Sequence, residues 1–364
     1  MPDLRSRIAG AFYGLLTGDA FGCPVEGYTP DRIRREFGRL TDMVPATGQG
    51  RPPGLHSDDG QQAIAVCDAV LEDPRHPGPV FARLIVDMFL RGPGNPRVLG
   101  VHRGAGENFR ETVQALAGGR AWDRAARPTA GNGAAMRVAP AGLYHRDDAE
   151  ALLDAVFDVS RVTHADPRGL AAAGAIAFLV ANAVHHEGRA RDLADRDLLT
   201  FVYAVEDRAV DLIGIPAHHR EFSNGLDVVL ATSADAREDV LRQIEIVASR
   251  AAGQALRATD GFAPASVLTA LTLFLQGKDF ESTLIDAVML GGDADTIGAM
   301  VGALSGALYG VEAIPVRWRN ALSAYGALED RIDALVKRTD RFTPAVPVAD
   351  LEKPWTEMYL RGAL

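Results

Sequence analysis

The segment Gly291-Gly-Asp-Ala-Asp-Thr-Ile-Gly-Ala-Met-Val-Gly-Ala-Leu-Ser-Gly-Ala307 combines alternating carboxylates with a run of small residues. From Gly298 onward it consists largely of Gly and Ala, whose missing side-chain bulk lets neighbouring backbones approach closely. The segment Gly169-Leu-Ala-Ala-Ala-Gly174 has a similar composition. We interpret both as central, tightly packed helices, in preference to a direct role in ligand binding.

Apolar residues recur at helical spacing along most of the chain, and convincing strand alternation is absent, so the sequence predicts an all-α fold. The predicted helices are Leu4 to Phe21, Gln61 to Leu71, Phe81 to Leu90, Phe109 to Leu116, Ala149 to Val162, Arg168 to Val184, Leu198 to Val210, Val240 to Ala255, Ser266 to Leu275, Phe280 to Leu290, Ile297 to Tyr309 and Pro315 to Val336. Between them, segments rich in Gly, Pro and Asp predict loops, notably Pro45 to Gly54, Gly92 to Gly106 and Arg127 to Gly133.

The bulk composition is that of an ordinary globular protein, with 364 residues of which 47% are hydrophobic and 24% charged. No flexible linker divides the chain, and we expect a single domain over residues 1–364. A formal net charge of −10 argues against binding to a nucleic-acid duplex or a membrane surface, because both need basic patches. A small charged substrate stays open.

Cellular location is predicted from the cysteines and the first helix. Cys23 and Cys67 lie among apolar residues and are expected to be core thiols, as in a reducing cytoplasm. The apolar stretch that begins at Ile8 lacks the charged start and cleavage pattern of a signal peptide. The apolar run from Gly169 to Val184 contains Asn182 and falls short of the roughly 20 apolar residues of a membrane span. We therefore expect a cytoplasmic protein.

Two acidic clusters stand at predicted helix starts: Ser57-Asp58-Asp59, and Asp293-Ala-Asp-Thr296 after two glycines. Helix capping by Ser and Asp explains one or two of the residues in the first cluster. Together, however, the clusters offer four carboxylates and two hydroxyls, hard oxygen donors that suit Mg²⁺, Mn²⁺ or Ca²⁺ better than zinc. Four clustered carboxylates repel one another unless two divalent cations neutralise them, so the pattern predicts a two-metal hydrolytic site.

At these residues the sequence resembles the ADP-ribosylglycohydrolase family, and the resemblance covers nearly the whole chain. The matching segments are Ile8-Ala-Gly-Ala-Phe-Tyr-Gly-Leu-Leu-Thr-Gly-Asp-Ala-Phe-Gly-Cys-Pro-Val-Glu26, Ser57-Asp-Asp59, Gly131-Asn-Gly-Ala-Ala-Met-Arg137, Thr163-His164 and Gly291-Gly-Asp-Ala-Asp-Thr296. The resemblance implies a compact orthogonal helical bundle with a binuclear metal cleft. It also implies two divalent cations, Mg²⁺ first and Mn²⁺ or Ca²⁺ as alternatives. Their ligands would be Ser57, Asp58, Asp59, Asp293, Asp295 and Thr296.

The resemblance further implies a role for residues around these clusters. Glu26, Asp58 and Asp59 would be catalytic, although Glu26 taken alone reads as a surface residue. The substrate-binding residues would be Gly104, Gly106, Glu107, Gly131, Asn132, Gly133, Ala134, Met136, Arg137 and His164. Arg137 has a structural ion pair as its alternative, and His164 a capping or packing role. The segment from Gly131 would wrap a diphosphate, since glycines let main-chain N–H groups approach phosphate oxygens.

The function implied is metal-dependent hydrolysis of a glycosidic bond between ADP-ribose and an acceptor, which is a protein side chain or a small molecule. One alternative substrate is a nucleoside, a nucleotide sugar or another ribosylated small molecule. A second alternative is an ADP-ribose-binding relative without turnover. Gly60 stands where the family usually has Thr, which removes a hydroxyl that can support metal ligands. The sequence leaves the acceptor and the oligomeric state open.

Overall fold

The computed structural model describes residues 2–46 and 50–362, and in these ranges the chain forms α-helices joined by loops and short 3₁₀ turns. The helices are α1 (Leu4–Gly22), α2 (Pro30–Phe37), α3 (Asp58–Glu72), α4 (Pro77–Leu90), α5 (Glu107–Ala117), α6 (Ala139–Tyr144), α7 (Ala149–Arg161), α8 (Pro167–Ala183), α9 (Arg196–Ile213), α10 (Glu221–Ala231), α11 (Arg237–Ala252), α12 (Ala263–Gln276), α13 (Phe280–Val288), α14 (Ala294–Tyr309), α15 (Val316–Ala321), α16 (Glu329–Lys337) and α17 (Val348–Arg361). Only isolated β-bridges occur in the same ranges. The predicted all-α fold is confirmed.

The centre of the molecule is an antiparallel pair of helices, α1 and α14, whose backbones are in direct contact. The facing pairs recur every four residues: Gly10 with Gly306, Gly14 with Gly302, Gly18 with Gly298, and Gly22 with Ala294. A Cβ atom on Gly18 would lie only 1.9 Å from the carbonyl oxygen of Gly298. Real side chains cannot approach a backbone this closely, so glycine is required here. The prediction that the small-residue segments form central helices is confirmed for α14 and also for α8, which is buried along almost its whole length.

Most predicted helices lie where the periodicity placed them, but the segment from Pro315 to Val336 is not one helix. It forms α15 and α16, separated by an extended residue at Leu322 and a turn at Gly326 with a φ of 81°. In the connection, the N–H of Ser323 donates to the carbonyl oxygen of Gly54 at 3.0 Å. A contact with a distant segment does not alter the spacing of apolar residues, so the periodicity could not predict this interruption.

Four helices were not predicted: α2, α6, α10 and α17. Helix α2 is short and strongly charged and buries only Ile33, so it has no apolar stripe to detect. It does carry a start signal, since Thr29 accepts the N–H of Arg32 and Pro30 follows directly. Helix α17 contains Pro354, which in a sequence argues against a continuous helix.

One hydrophobic cluster of buried side chains extends along the chain from Ile8 to Ala349. Cys67 belongs to this cluster, and both Cys23 and Cys67 are buried and free of disulfide bonds. In residues 2–46 and 50–362 no helix is both long enough and apolar enough to cross a membrane. The predicted loop from Pro45 to Gly54 falls partly outside the described residues.

Candidate active site

The first acidic cluster lies in the first turn of α3. Ser57 is the N-cap of this helix, and its hydroxyl oxygen accepts the N–H of Asp59 at 3.1 Å. The same hydroxyl donates to Oδ2 of Asp59 at 3.0 Å. Helix capping therefore accounts for Ser57. It does not account for Asp58, whose Oδ2 instead accepts a hydrogen bond from Nε2 of Gln62 at 2.7 Å.

The second cluster follows a turn that only glycine can form. Gly291 and Gly292 have φ angles of 64° and 66°, a conformation that other residues rarely adopt. A Cβ atom on Gly292 would also lie 2.2 Å from Oγ1 of Thr259. The turn leads to Asp293, the N-cap of α14, whose side chain makes no capping hydrogen bond. Its carboxylate is thus not committed to starting the helix.

Both clusters line one cavity of about 250 Å³. The acidic part of its wall consists of Asp58, Asp59, Asp293, Asp295 and the hydroxyl-bearing Thr296. The other predicted site residues in the wall are Glu26, Gly104, Gly106, Glu107, Gly131, Asn132, Gly133, Met136, Arg137 and His164. Ser57 and Ala134 are buried next to these residues in the chain and do not line the cavity as the structure describes it. The fold therefore brings together nearly all the residues singled out in the sequence.

Asp58, Asp59 and Asp295 in the cavity wall are buried, and Asp293 is partly buried. Within the described residues, none of Asp58, Asp59, Asp293 and Asp295 forms an ion pair. Burial, with a contribution from neighbouring carboxylates, raises the pKa of Asp58 to about 7. Burial likewise raises the pKa of Asp59, Asp293 and Asp295. The site thus concentrates negative charge in a place that disfavours it.

The donor set fits divalent cations that prefer oxygen ligands. Oδ1 of Asp59 is buried and has no hydrogen-bond partner in the part of the chain that the structure describes. An unpartnered buried oxygen is costly, and a cation would satisfy it. Carboxylate and hydroxyl oxygens are the ligands that Mg²⁺, Mn²⁺ and Ca²⁺ prefer.

A chain of hydrogen bonds leads from the first cluster to His164. The guanidinium of Arg137 donates to Oε1 of Gln62 and to Oγ1 of Thr163, both at 2.6 Å. Because Thr163 accepts from Arg137, its hydroxyl hydrogen is free to donate to Nδ1 of His164 at 2.7 Å. Nδ1 is then the unprotonated nitrogen, and Nε2 carries the hydrogen. Burial lowers the pKa of His164 to about 3, so the ring is neutral and presents one N–H group.

Arg137 is almost completely buried, and its donors are largely engaged with the protein. It donates to the carbonyl oxygen of Val159 at 3.2 Å and stacks over the ring of Phe81, 4.6 Å from its centroid. Although Arg137 lines the cavity, this geometry makes it a residue that orients Gln62 and Thr163. The structural alternative considered for Arg137 thus has geometric support, with hydrogen bonds in place of an ion pair.

The glycine-rich segment from Gly131 is tied to the second cluster through Asn132. The amide nitrogen of Asn132 donates to Oδ2 of Asp293 at 2.6 Å and to Oγ of Ser266 at 2.9 Å. Gly133 packs against His164, and a Cβ atom there would lie 3.1 Å from Cε1 of the ring. The segment therefore supports both the carboxylate and the imidazole of the site.

Glu26 and Glu107 are exposed carboxylates at the mouth of the cavity. Glu26 ends the 3₁₀ turn Cys23–Val25, just after α1. The next residue, Gly27, donates its N–H to the carbonyl oxygen of Gly292 at 2.7 Å. This bond holds the Glu26 turn against the glycine turn of the second cluster. Glu107 is the first residue of α5 and follows Gly106, the N-cap of that helix.

The departure at Gly60 has a steric explanation. A Cβ atom on Gly60 would lie 2.5 Å from Cδ2 of Leu16 and 2.7 Å from Cδ2 of His56. The ring of His56 and the side chain of Leu16 thus fill the space that a side chain at position 60 would need. Gly60 is the residue that this packing allows, and the supporting hydroxyl considered from the sequence has no room in this chain.

His56 belongs to a second buried charged cluster on the other side of the α3 start. Its Nε2 pairs with Oε1 of Glu352 at 3.0 Å, and the guanidinium of Arg103 pairs with Oε2 of Glu352 at 2.8 Å. Gln61 donates to Oε2 of Glu352 at 2.9 Å. His56 and Arg103 hold the pKa of Glu352 at about 2 despite complete burial. This cluster fastens α17 to α3 and to the loop that carries Gly104.

Sequence reasoning missed Asp19, Gln62, Thr163 as a hydrogen-bond relay, and Glu352. Asp19 is fully buried in α1, and its carboxylate accepts main-chain hydrogen bonds from α3. Asp19 was visible as a charged residue within an apolar helix, which is a signal of a buried partner. Glu352 gave no such signal, because its partners lie far away in the sequence.

Comparisons with known proteins show which family this chain is similar to. The sequence profile described as ADP-ribosylglycohydrolase matches residues 1–344. An uncharacterized protein of Archaeoglobus fulgidus is 29% identical over 90% of this chain and 95% of its own length. The ADP-ribosyl-dinitrogen reductase glycohydrolase of Rhodospirillum rubrum is 28% identical over 92% of this chain and 97% of its own. A solved structure titled ADP-ribosylglycohydrolase-related protein complex superposes with a TM-score of 0.64 at 27% identity, covering 93% of this chain and all of that one.

Proposed function

The chain belongs to the ADP-ribosylglycohydrolase family, and we propose that it hydrolyses a glycosidic bond between ADP-ribose and an acceptor with the help of divalent cations. The family and the named relatives are ADP-ribosylhydrolases, so the chain is an enzyme of the glycosyl hydrolase class. The metal dependence is inferred from the cavity wall, where four aspartate carboxylates lie together and form no ion pair among the described residues.

The residues that would hold two cations are Ser57, Asp58, Asp59, Asp293, Asp295 and Thr296. When bound, such cations neutralise the carboxylates and supply Lewis-acid polarisation of substrate oxygens. Mg²⁺ is the first candidate, with Mn²⁺ and Ca²⁺ as alternatives. The protein in turn fixes these side chains through Gln62 on Asp58 and Asn132 on Asp293.

The remaining residues of the cavity bind the substrate and move a proton. The Nε2–H group of His164 donates to an oxygen of the ligand. The imidazole ring stays neutral throughout the physiological pH range. A carboxylate oxygen of Glu26, at the cavity mouth, accepts the proton of the attacking water, and this proton is passed on to the acceptor that leaves as the glycosidic bond breaks. Cleavage at the anomeric carbon develops positive charge on the ribose, which the surrounding carboxylates stabilise.

The test is release of free ADP-ribose from peptides that carry ADP-ribose on arginine or on serine. The protein is first treated with a chelator and then supplied with Mg²⁺, Mn²⁺ or Ca²⁺, while metal binding is followed separately by calorimetry. We expect no release without metal and release from at least one linkage with it. Metal binding without release from either linkage would contradict the proposal, and turnover of a nucleoside or nucleotide sugar instead would establish the alternative substrate.

A further inference from the structure

Asp19 is a completely buried carboxylate within α1, outside the cavity wall. Its Oδ1 and Oδ2 accept the N–H of Ser57 at 2.8 and 3.0 Å, and its Oδ2 also accepts the N–H of Gly60 at 2.8 Å. The thiol of Cys23, the residue that directly follows α1, donates to Oδ1 at 3.2 Å. Asp19 therefore caps the start of α3 from a different helix, and it does so at the turn that carries Asp58 and Asp59.

The same end of α1 is also fixed to the second acidic cluster. Gly18 and Gly22 flank Asp19 and contact the first turns of α14, where a Cβ atom on Gly22 would lie 2.3 Å from the carbonyl oxygen of Ala294. Backbone contacts this close leave the two helices almost no freedom to slide. Because Ala294 lies between Asp293 and Asp295, the position of α1 determines the position of the second cluster.

The carboxylate of Asp19 provides a pair of oxygens for the N–H groups at the start of α3. Charged acceptors form stronger hydrogen bonds with such groups than neutral ones do.

We propose that Asp19 is a positioning residue that sets the distance between the two acidic clusters, holding the α3 start through Ser57 and Gly60 while α1 is locked to α14. It acts through these main-chain groups, and its carboxylate lies outside the cavity wall. The inference rests on the proposed function for its consequence, since the spacing of the clusters matters for holding two cations.

The test compares Asp19→Asn with Asp68→Asn. Asp68 is a matched control, because it is also a buried aspartate, lies within α3 itself, and pairs with Arg331 at 2.7 and 2.9 Å away from the cavity. Mn²⁺ affinity is measured by calorimetry. Hydrogen exchange at the start of α3 is measured by mass spectrometry on the chelator-treated protein, and the melting temperature of each variant is recorded.

For Asp19→Asn we expect Mn²⁺ affinity to fall by about 10- to 100-fold, as for the loss of other groups that orient metal ligands. Exchange at Ser57–Gly60 should become faster by about tenfold in the metal-free protein. Asp68→Asn should lower the melting temperature and leave both quantities near those of the unaltered protein. Cys23→Ala, which removes only the thiol donor, should shift both in the same direction by a smaller factor.

A fall in Mn²⁺ affinity without faster exchange would overturn the inference, because it would assign Asp19 a purely electrostatic role. Faster exchange with full Mn²⁺ affinity would overturn it as well. If Asp19→Asn does not fold, Cys23→Ala decides by the same two measurements. An unaltered protein that bound no Mn²⁺ would count against the metal part of the proposed function alone. In that case, a lower kcat at constant KM together with faster exchange in Asp19→Asn would support the role of Asp19.

Discussion

The start of α3 separates two buried clusters of charged side chains that are compensated in different ways. On one side, Glu352 is matched by Arg103 and His56, and its pKa is lowered to about 2. On the other side, Asp58 and the neighbouring aspartates form no ion pair in the described chain. Burial and neighbouring carboxylates outweigh the attraction of Arg51, and the pKa of Asp58 is raised to about 7. Glu352 is the more deeply buried of the two carboxylates, so burial alone does not explain the difference.

The comparison separates a structural cluster from a functional one. When a buried charge is paired with an opposite charge of the same protein, the free-energy cost of burying it is offset as soon as the chain folds. A buried charge without an ion-pair partner lowers the stability of the folded protein, and this cost is offset only when a cation or another ligand binds. Such uncompensated groups are typical of binding and catalytic sites, where stability is traded for activity.

The largest effect is expected from removing one of the unpaired carboxylates. Asp59→Asn should reduce the rate of ADP-ribose release by about 10³-fold or more, because a metal-ligating oxygen is lost. The melting temperature of the metal-free protein should stay the same or rise, since repulsion within the cluster is reduced. Activity within tenfold of the unaltered enzyme, or a clearly lower melting temperature, would contradict the assignment of the acidic cluster to function and of the Glu352 cluster to structure.

The opposite result is expected from the paired cluster. Glu352→Gln should lower the free energy of unfolding by about 3 kcal/mol or more, because Arg103 is left buried with a neutral partner. Urea unfolding measures this change. The control is Glu357→Gln on the exposed side of the same helix, for which we expect a change within about 0.5 kcal/mol. Equal effects of the two substitutions would show that the paired cluster does not fasten α17.

The two clusters should also give the metal-free protein opposite dependences on pH. The raised pKa of Asp58 stabilises the fold at low pH, and this contribution is lost as the pH rises through about 7. The lowered pKa of Glu352 stabilises the fold above its unfolded value near 4.3, and this contribution is lost as the pH falls toward 2.

The free energy of unfolding of the chelator-treated protein, measured with urea between about pH 3 and pH 8, should therefore be highest at mildly acidic pH. It should fall by an amount on the order of 2 kcal/mol toward neutral pH. Saturating Mg²⁺ should abolish the loss at neutral pH and leave the acid branch unchanged. A stability that increases steadily up to pH 8 in the metal-free protein would contradict the assignment of the uncompensated cluster.

The smallest effect concerns Gly60, which lies between the clusters. Gly60→Ala should cost roughly 1 to 2 kcal/mol of stability, because the added methyl group meets Leu16 and the ring of His56. Gly106→Ala is the control, since a Cβ atom there has no neighbour within 4 Å, and its cost should stay below about 1 kcal/mol. A stabilising Gly60→Ala would show that the His56 ring can move away from the α3 start.

Sequence reasoning identified the site residues that stand next to one another in the chain. The acidic clusters stand out because alternating carboxylates, hydroxyls and glycines are adjacent in the chain, and α1, α8 and α14 stand out by their periodicity. Arg103 and Glu352 were missed because a buried ion pair between distant segments has no pattern in either segment. Asp19 was missed as a supporting residue because its partners are main-chain N–H groups, which every sequence contains.

The backbone contact between α1 and α14 has a consequence for the order in which the protein folds. It joins the first α-helix of the described chain to the fourteenth, and contacts between residues far apart in sequence form slowly because a long loop must close first. During synthesis, a nascent chain that has not yet reached α14 carries Asp58 and Asp59 without their acidic counterparts. The mutual repulsion of the clusters therefore arises only after α14 has been synthesised and packs against α1.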